Sequence, residues 1–318
     1  MSSQKPPDPN HPISSTGAGD VPPASADRWP PSGGVTVAAH GLTDRGRVRR
    51  NNEDSLAACD LSKRESITGT FGFSRSLGPR GIVFVVADGM GGQACGERAS
   101  RMCCELLPAR LLENQGAAGT VHAAEFGELL ARALEAAHQA ILEAARAEPA
   151  CHGMGTTVTA AAILGPSLVV GQVGDSRAYL VRGQQLFQLT RDQTFLNYLL
   201  EVGAVDRGDL ATDPRRSILL QALGAAEKLK AVLTTVELRR ADRVLLMSDG
   251  LYSMVPPEEI LGTVSSADDL ETRCRRLVEA ANAHGGADNV TVILAELTGD
   301  GLAAPDPAGA PNIELLGA

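Results

Sequence analysis

The chain has 318 residues, of which 43% are apolar and only 3% aromatic, and it carries a formal net charge of −9. That length allows one large domain or two small ones, with a core that Ala, Val and Leu must fill. An acidic chain repels phosphate backbones and anionic lipid surfaces, so neither nucleic acid nor membrane is an expected partner.

Residues 1–34 are rich in Pro, Gly and Ser and lack apolar periodicity. Such a segment cannot bury enough surface to offset its ordering entropy, so a disordered arm is expected, acting as a linker or a polyproline II ligand. No basic patch followed by an apolar run marks a signal peptide. Strand-like runs follow at 35–42, 82–87, 156–164, 167–173, 177–182, 230–238, 243–248 and 289–297. Between the first two, residues 62–80 are Gly- and Ser-rich with a local positive charge and read as an exposed hairpin or loop. Cys103 and Cys104 lie in an apolar helical segment and read as core packing.

Residues 125–148 place Phe126, Leu129, Leu130, Ala133, Leu134, Ala137, Ile141 and Leu142 on one helical stripe. A second helix, 268–284, starts on acids and stops at Gly285-Gly286. Residues 299–318 look loose, a flexible tail. The longest apolar stretch, 158–170, is broken by Gly165-Pro166 and is too short to span a bilayer. Several strands succeed one another without helices between them. That favours an α+β fold with antiparallel sheets and helices packed outside. The six cysteines contain no C-x-x-C pair, so neither a zinc site nor a disulfide framework is expected. A reduced, cytoplasmic protein follows.

Three apolar strands end in an acid beside glycine: Asp88-Gly89, Gly174-Asp175 and Asp249-Gly250. A fourth acid, Asp288, precedes the last strand. One such Asp is a common turn former, but a sheet brings strand ends together, and buried carboxylates need a cation or donors. Carboxylates without His or Cys suit hard ions such as Mg²⁺ or Mn²⁺, and the glycines let backbone come close to them. Earlier, TDRGRVRRNNEDS (43–55) packs Arg49, Glu53 and Asp54 among other charges. It reads either as a solvated loop or as an arginine site for an anion, since guanidinium matches phosphate in two-point geometry. The six histidines are scattered, and none forms a ligand pair.

The ordered set TDRGRVRRNNEDS, VADGMGG, MGTTV, VGDSRAYL, MSDGLY and GADNVTVI resembles the bacterial metal-dependent protein phosphatases (the PPM or type 2C serine/threonine phosphatases) over about residues 35–298. The resemblance implies a four-layer αββα sandwich with two central antiparallel sheets flanked by helices. It implies two to three Mn²⁺ or Mg²⁺ ions. Asp88 would bridge two of them, Gly89 would offer its carbonyl, and Asp249 and Asp288 would ligate directly. Asp175 and Asp249 would hold a third ion, while Glu53 and Asp54 would act through water. Arg49 would bind phosphate, and a metal-bridging hydroxide would attack phosphorus. Expected partners are phosphorylated proteins, including a Ser/Thr kinase that the enzyme opposes, and a monomer is expected.

Residues 191–217 occupy the place of the family's flap and read as a substrate-selecting element or a surface excursion. The chain departs from the family pattern at Gln93, Gln172, Gln193, Asp213 and Ser253, none of them a direct ligand. A phosphoprotein-binding module without turnover and a two-metal hydrolase of small phosphoesters are the competing readings. An intact acid set disfavours the first, and Arg49 within the whole ordered set disfavours the second.

Overall fold

The computed structural model describes residues 34–91, 95–114, 122–205, 214–225 and 227–316. In chain order the first strands are β1 (Thr36–Asp44), β2 (Asp54–Asp60), β3 (Glu65–Thr68), β4 (Phe71–Ser76) and β5 (Ile82–Met90). Helices α1 (Cys95–Asn114) and α2 (Ala123–Ala147) follow, then β6 (Gly155–Thr156), β7 (Val158–Leu164), β8 (Ser167–Val173), β9 (Arg177–Arg182) and β10 (Gln185–Gln188). After the short helix α3 (Phe195–Glu201) come β11 (Val232–Glu237), β12 (Arg243–Met247), α4 (Asp249–Tyr252), α5 (Pro257–Val264), α6 (Leu270–Ala283), β13 (Val290–Thr298) and β14 (Ile313–Leu315).

The strands form two sheets, ordered β10-β9-β12-β13-β1-β4 and β14-β11-β8-β7-β5-β2-β3, with β6 paired to the end of β5. Each pairing is antiparallel. Strand β5 explains the layering. Ile82, Phe84 and Val86 point between the sheets, while Val83, Val85 and Ala87 point at α1 and α2, as a two-residue period requires. Ala160 and Ala162 of β7 continue the helix-facing side. A third core lies under α4, α5 and α6, where Leu277, Val278 and Ala281 meet Leu245, Val292 and Leu294. Three cores between four layers give the αββα sandwich that the resemblance implied.

The helix expected at 125–148 is α2, and that at 268–284 is α6, capped by the Asp269 side chain on the Thr272 N–H (2.7 Å). Three expectations change. Residues 62–80, expected as an exposed hairpin or loop, hold two largely exposed strands that do not pair with each other: β3 joins one sheet and β4 the other. Phe71, Phe73 and Phe84 stack there, and the Arg75 guanidinium lies 4.3 Å from the Phe73 ring. The tail after 298 is partly pinned, since β14 pairs with β11 and Leu302 is buried. Cys95 and Cys151 form a disulfide across 56 residues, where no disulfide was expected. The arm up to residue 33, together with Gln93 and Asp213, lies outside the described residues.

Candidate active site

Register places the acids. Strand β2 pairs with β5 so that Asp54 stands opposite Asp88. Asp175 follows β8, and Asp249 follows β12 as the first residue of α4. Asp288 precedes β13. Arg49, Glu53, Asp88, Gly89, Asp175, Asp249 and Asp288 all line one cleft of about 590 Å³. Asp54 sits behind it, buried, with Oδ2 accepting from Ser248 Oγ and Thr291 Oγ1 (2.7 Å each). The single-strand signals at 82–87, 167–173 and 243–248 therefore do converge on one place.

The electrostatics are those of crowded, desolvated acids. Burial, reinforced by Asp54 and Asp249, pushes Asp88 well above the ordinary carboxylate range. Burial pushes Asp54 and Asp175 up to about 7. Asp249 rises to about 6 through burial and Asp288, and is close enough to Asp88 to share a hydrogen bond. Burial also raises Glu53, against the pull of Arg49. Such a set is costly without a cation.

The donor chemistry fits a hard divalent ion. It consists of carboxylates and backbone carbonyls, with no imidazole or thiolate. Asp54 Oδ1 and Asp249 Oδ1 are buried without a hydrogen-bond partner. A Cβ on Gly89 would stand 2.2 Å from the Gly96 carbonyl oxygen and 2.6 Å from that of Glu53, so only glycine fits the cradle. Among the described residues no three such groups already converge on one ion position. Asp288 is instead turned onto Arg49, whose Nη2 donates to Oδ2 at 2.6 Å.

Several supporting residues were not singled out from the sequence. Asn289 Nδ2 donates to the carbonyls of Arg45 and Asn51 (2.9 Å each), and its Oδ1 accepts from the Glu53 N–H (2.8 Å). It thus fixes the arginine loop beside Asp288. Thr157 Oγ1 accepts from the Asp88 N–H (3.2 Å). Tyr252 lies beside Asp175 in the neighbouring hollow, its ring 3.6 Å beneath the Arg177 guanidinium. The asparagine was visible as the neighbour of Asp288 in GADNVTVI; the other two carried no signal beyond their motifs. Gln172 and Gln193 both bond to the backbone of the Asp175 loop. Ser253 is exposed at the C-cap of α4.

Comparison with known proteins agrees with this geometry. The family profile described as protein phosphatase 2C matches residues 72–294. The serine/threonine phosphatase Stp of Listeria monocytogenes is 34% identical over 254 residues, covering 80% of this chain and 93% of that protein. The serine/threonine protein phosphatase PstP of Mycobacterium tuberculosis is 37% identical over 258 residues, covering 80% of this chain and 44% of its own longer one. The crystal structure of a PstP catalytic domain in complex with two manganese ions superposes with a TM-score of 0.66, at 32% identity, over 83% of this chain and 99% of that one.

Proposed function

The chain belongs to the protein phosphatase 2C family, and from that premise we propose which of its residues perform the reaction. It is a metal-dependent phosphoprotein phosphatase specific for serine and threonine. Asp88, Asp249, Asp288 and the Gly89 carbonyl would hold a pair of Mn²⁺ or Mg²⁺ ions, and Asp175 with Asp249 would hold a third. When bound, the ions supply positive charge against the phosphoryl oxygens and acidify the water that attacks phosphorus.

Arg49, at the exposed rim, turns from Asp288 to fork two phosphoryl oxygens and orient the ester. Glu53 stands on the same wall, where burial raises its pKa against the pull of Arg49, and would act on the ions through water. Asp54 keeps Ser248 and Thr291 in place behind Asp88 and adds negative charge to the ion site. The flap, 191–217, contributes to substrate selection; residues 206–213 of it lie outside the described set. The substrates are phosphorylated proteins, among them a Ser/Thr kinase that the enzyme opposes, and the enzyme acts as a cytoplasmic monomer. Among the described residues no helix is long and apolar enough to cross a membrane.

The observation that carries this reading is the single cleft in which desolvated aspartates from separate strand ends face one another below the Arg49 guanidinium, with Arg50 on the same lining. Phosphate release from a phosphothreonine peptide, with and without Mn²⁺, tests it. Turnover that appears with Mn²⁺ and vanishes in EDTA is expected. No turnover at any metal concentration would overturn it.

A further inference from the structure

Three consecutive residues at the root of the flap are each tied to the loop that carries Asp175. The Arg191 N–H donates to Oε1 of the buried Gln172 (2.9 Å), whose Nε2 donates to the Gly174 and Ser176 carbonyls (3.2 Å each). The Arg177 guanidinium forks Asp192, with Nη2 to Oδ2 at 2.6 Å. Gln193 forms a two-way pair with Gly174: its Oε1 accepts from the Gly174 N–H (2.8 Å), and its own N–H donates to the Gly174 carbonyl (2.9 Å). Gly174 has φ +99°, and a Cβ there would stand 2.7 Å from the Thr157 side chain. It can carry no side chain to hold the turn, so the hold comes from these neighbours.

Beyond this root, α3 forms one wall of a hollow of about 670 Å³ through Leu196, Asn197 and Leu200. Tyr252 and Met254 form the facing wall, and the hollow shares Arg49, Asp175, Asp249 and Asp288 with the catalytic cleft. A phosphorylated side chain in the cleft would lay a neighbouring peptide residue into this hollow. A small phosphoester would leave it empty.

The two partners in the clamp are unequally anchored. The Asp175 loop is also held from β7 and the residue before it: Thr157 and Ser176 share a hydroxyl hydrogen bond (2.6 Å), and Thr159 Oγ1 donates to the Ser176 carbonyl (2.6 Å). The flap root's further backbone links run to residues 218 and 220, both exposed. Weakening the clamp therefore releases α3 before it releases Asp175.

We propose that Gln193 is a positioning residue that sets the separation of α3 from the Asp175 loop, and with it the preference for a peptide-borne phosphate over a small phosphoester. The inference rests on the phosphatase reading above. Its test is kcat/KM of the full chain with Mn²⁺ on a phosphothreonine peptide and on p-nitrophenyl phosphate. Gln193→Met keeps the length and removes both the acceptor for Gly174 and the Nε2 donor to the Lys230 carbonyl (3.3 Å), of which Gln193→Glu restores only the acceptor. The peptide-to-phosphoester ratio should fall about fivefold, the scale of one lost hydrogen bond, with the loss in the peptide KM. Gln193→Glu keeps the acceptor oxygen and should return the ratio to within about twofold. If Gln193→Met melts below the assay temperature, Gln193→Asn, too short to reach Gly174, takes its place. An unchanged ratio in the acceptor-less or shortened variant overturns the proposal. Failure of the wild type on both substrates overturns the phosphatase reading instead.

Discussion

Arg49 Nη2 donates to Asp288 Oδ2 at 2.6 Å, so the guanidinium proposed to hold phosphate rests on a carboxylate proposed to hold a metal. The pair is half exposed, with side-chain accessibilities of 53% and 31%, and such a contact is weak in water. On the proposed reading it is a parking place. An ion on Asp288 would displace Arg49 toward the cleft, where substrate phosphate arrives.

Arg49→Ala should therefore lower kcat/KM for a phosphopeptide by about 10²-fold at saturating Mn²⁺. Its Mn²⁺ affinity, measured by calorimetry, should be no weaker than that of the wild type. Weakened ion binding would mean that Arg49 shapes the ion site rather than serving the phosphate.

Asp249 lies in both the cleft and the crowded acid set. Asp249→Asn should abolish turnover, by at least about 10²-fold, and should remove the Mn²⁺-induced rise in Tm. In EDTA the variant should melt no lower than the wild type, because a buried like charge has been taken away. Full activity would remove Asp249 from the ion site.

The raised acids predict an unusual pH dependence for the metal-free protein. Asp54, Asp175 and Asp249 move from 3.8 up to about 7, 7 and 6, first through burial. Between those limits the folded chain binds more protons than the unfolded one, so stability is greatest at the acid end and falls as pH rises. The Tm in EDTA should drop from about pH 5 to about pH 8, and saturating Mn²⁺ should abolish the drop by supplying the missing charge. A Tm in EDTA that climbs over this window would contradict the desolvation of the set.

The Cys95–Cys151 bridge closes a long loop. Cys151→Ser, or reduction, should cost about 2–4 kcal/mol and lower the Tm accordingly. Under denaturing, non-reducing conditions a thiol titration should find the four free cysteines, Cys59, Cys103, Cys104 and Cys274. Six reactive thiols would disprove the bridge.

The convergence of the eight proposed site residues was legible in the sequence because each acid ends a strongly apolar strand, or belongs to a motif whose order is itself informative. Strand β2 was not. Its residues DSLAACD begin and end in acids, and its alanines blur the period, although Leu56 and Ala58 face one core and Ala57 and Cys59 the other. The disulfide left no local spacing to read. It follows from tertiary pairing: β5 meets β6 at Met90 and Gly155, and the two chains run on from there to Cys95 and back to Cys151. The pinned tail was hidden because β14 is three exposed residues whose partner, β11, lies far off in sequence.

The antiparallel β2–β5 ladder has Asp54 and Asp88 at one end and Asp60 and Ile82 at the other. Six residues of extended chain, about 20 Å, separate the chemistry from the turn at residues 61–64. Lys63 and Arg64 there are exposed. That distance makes the turn a practical splice point: a fluorescent reporter or affinity peptide grafted after Lys63 would ride on the enzyme in a cell without crowding the phosphate cleft.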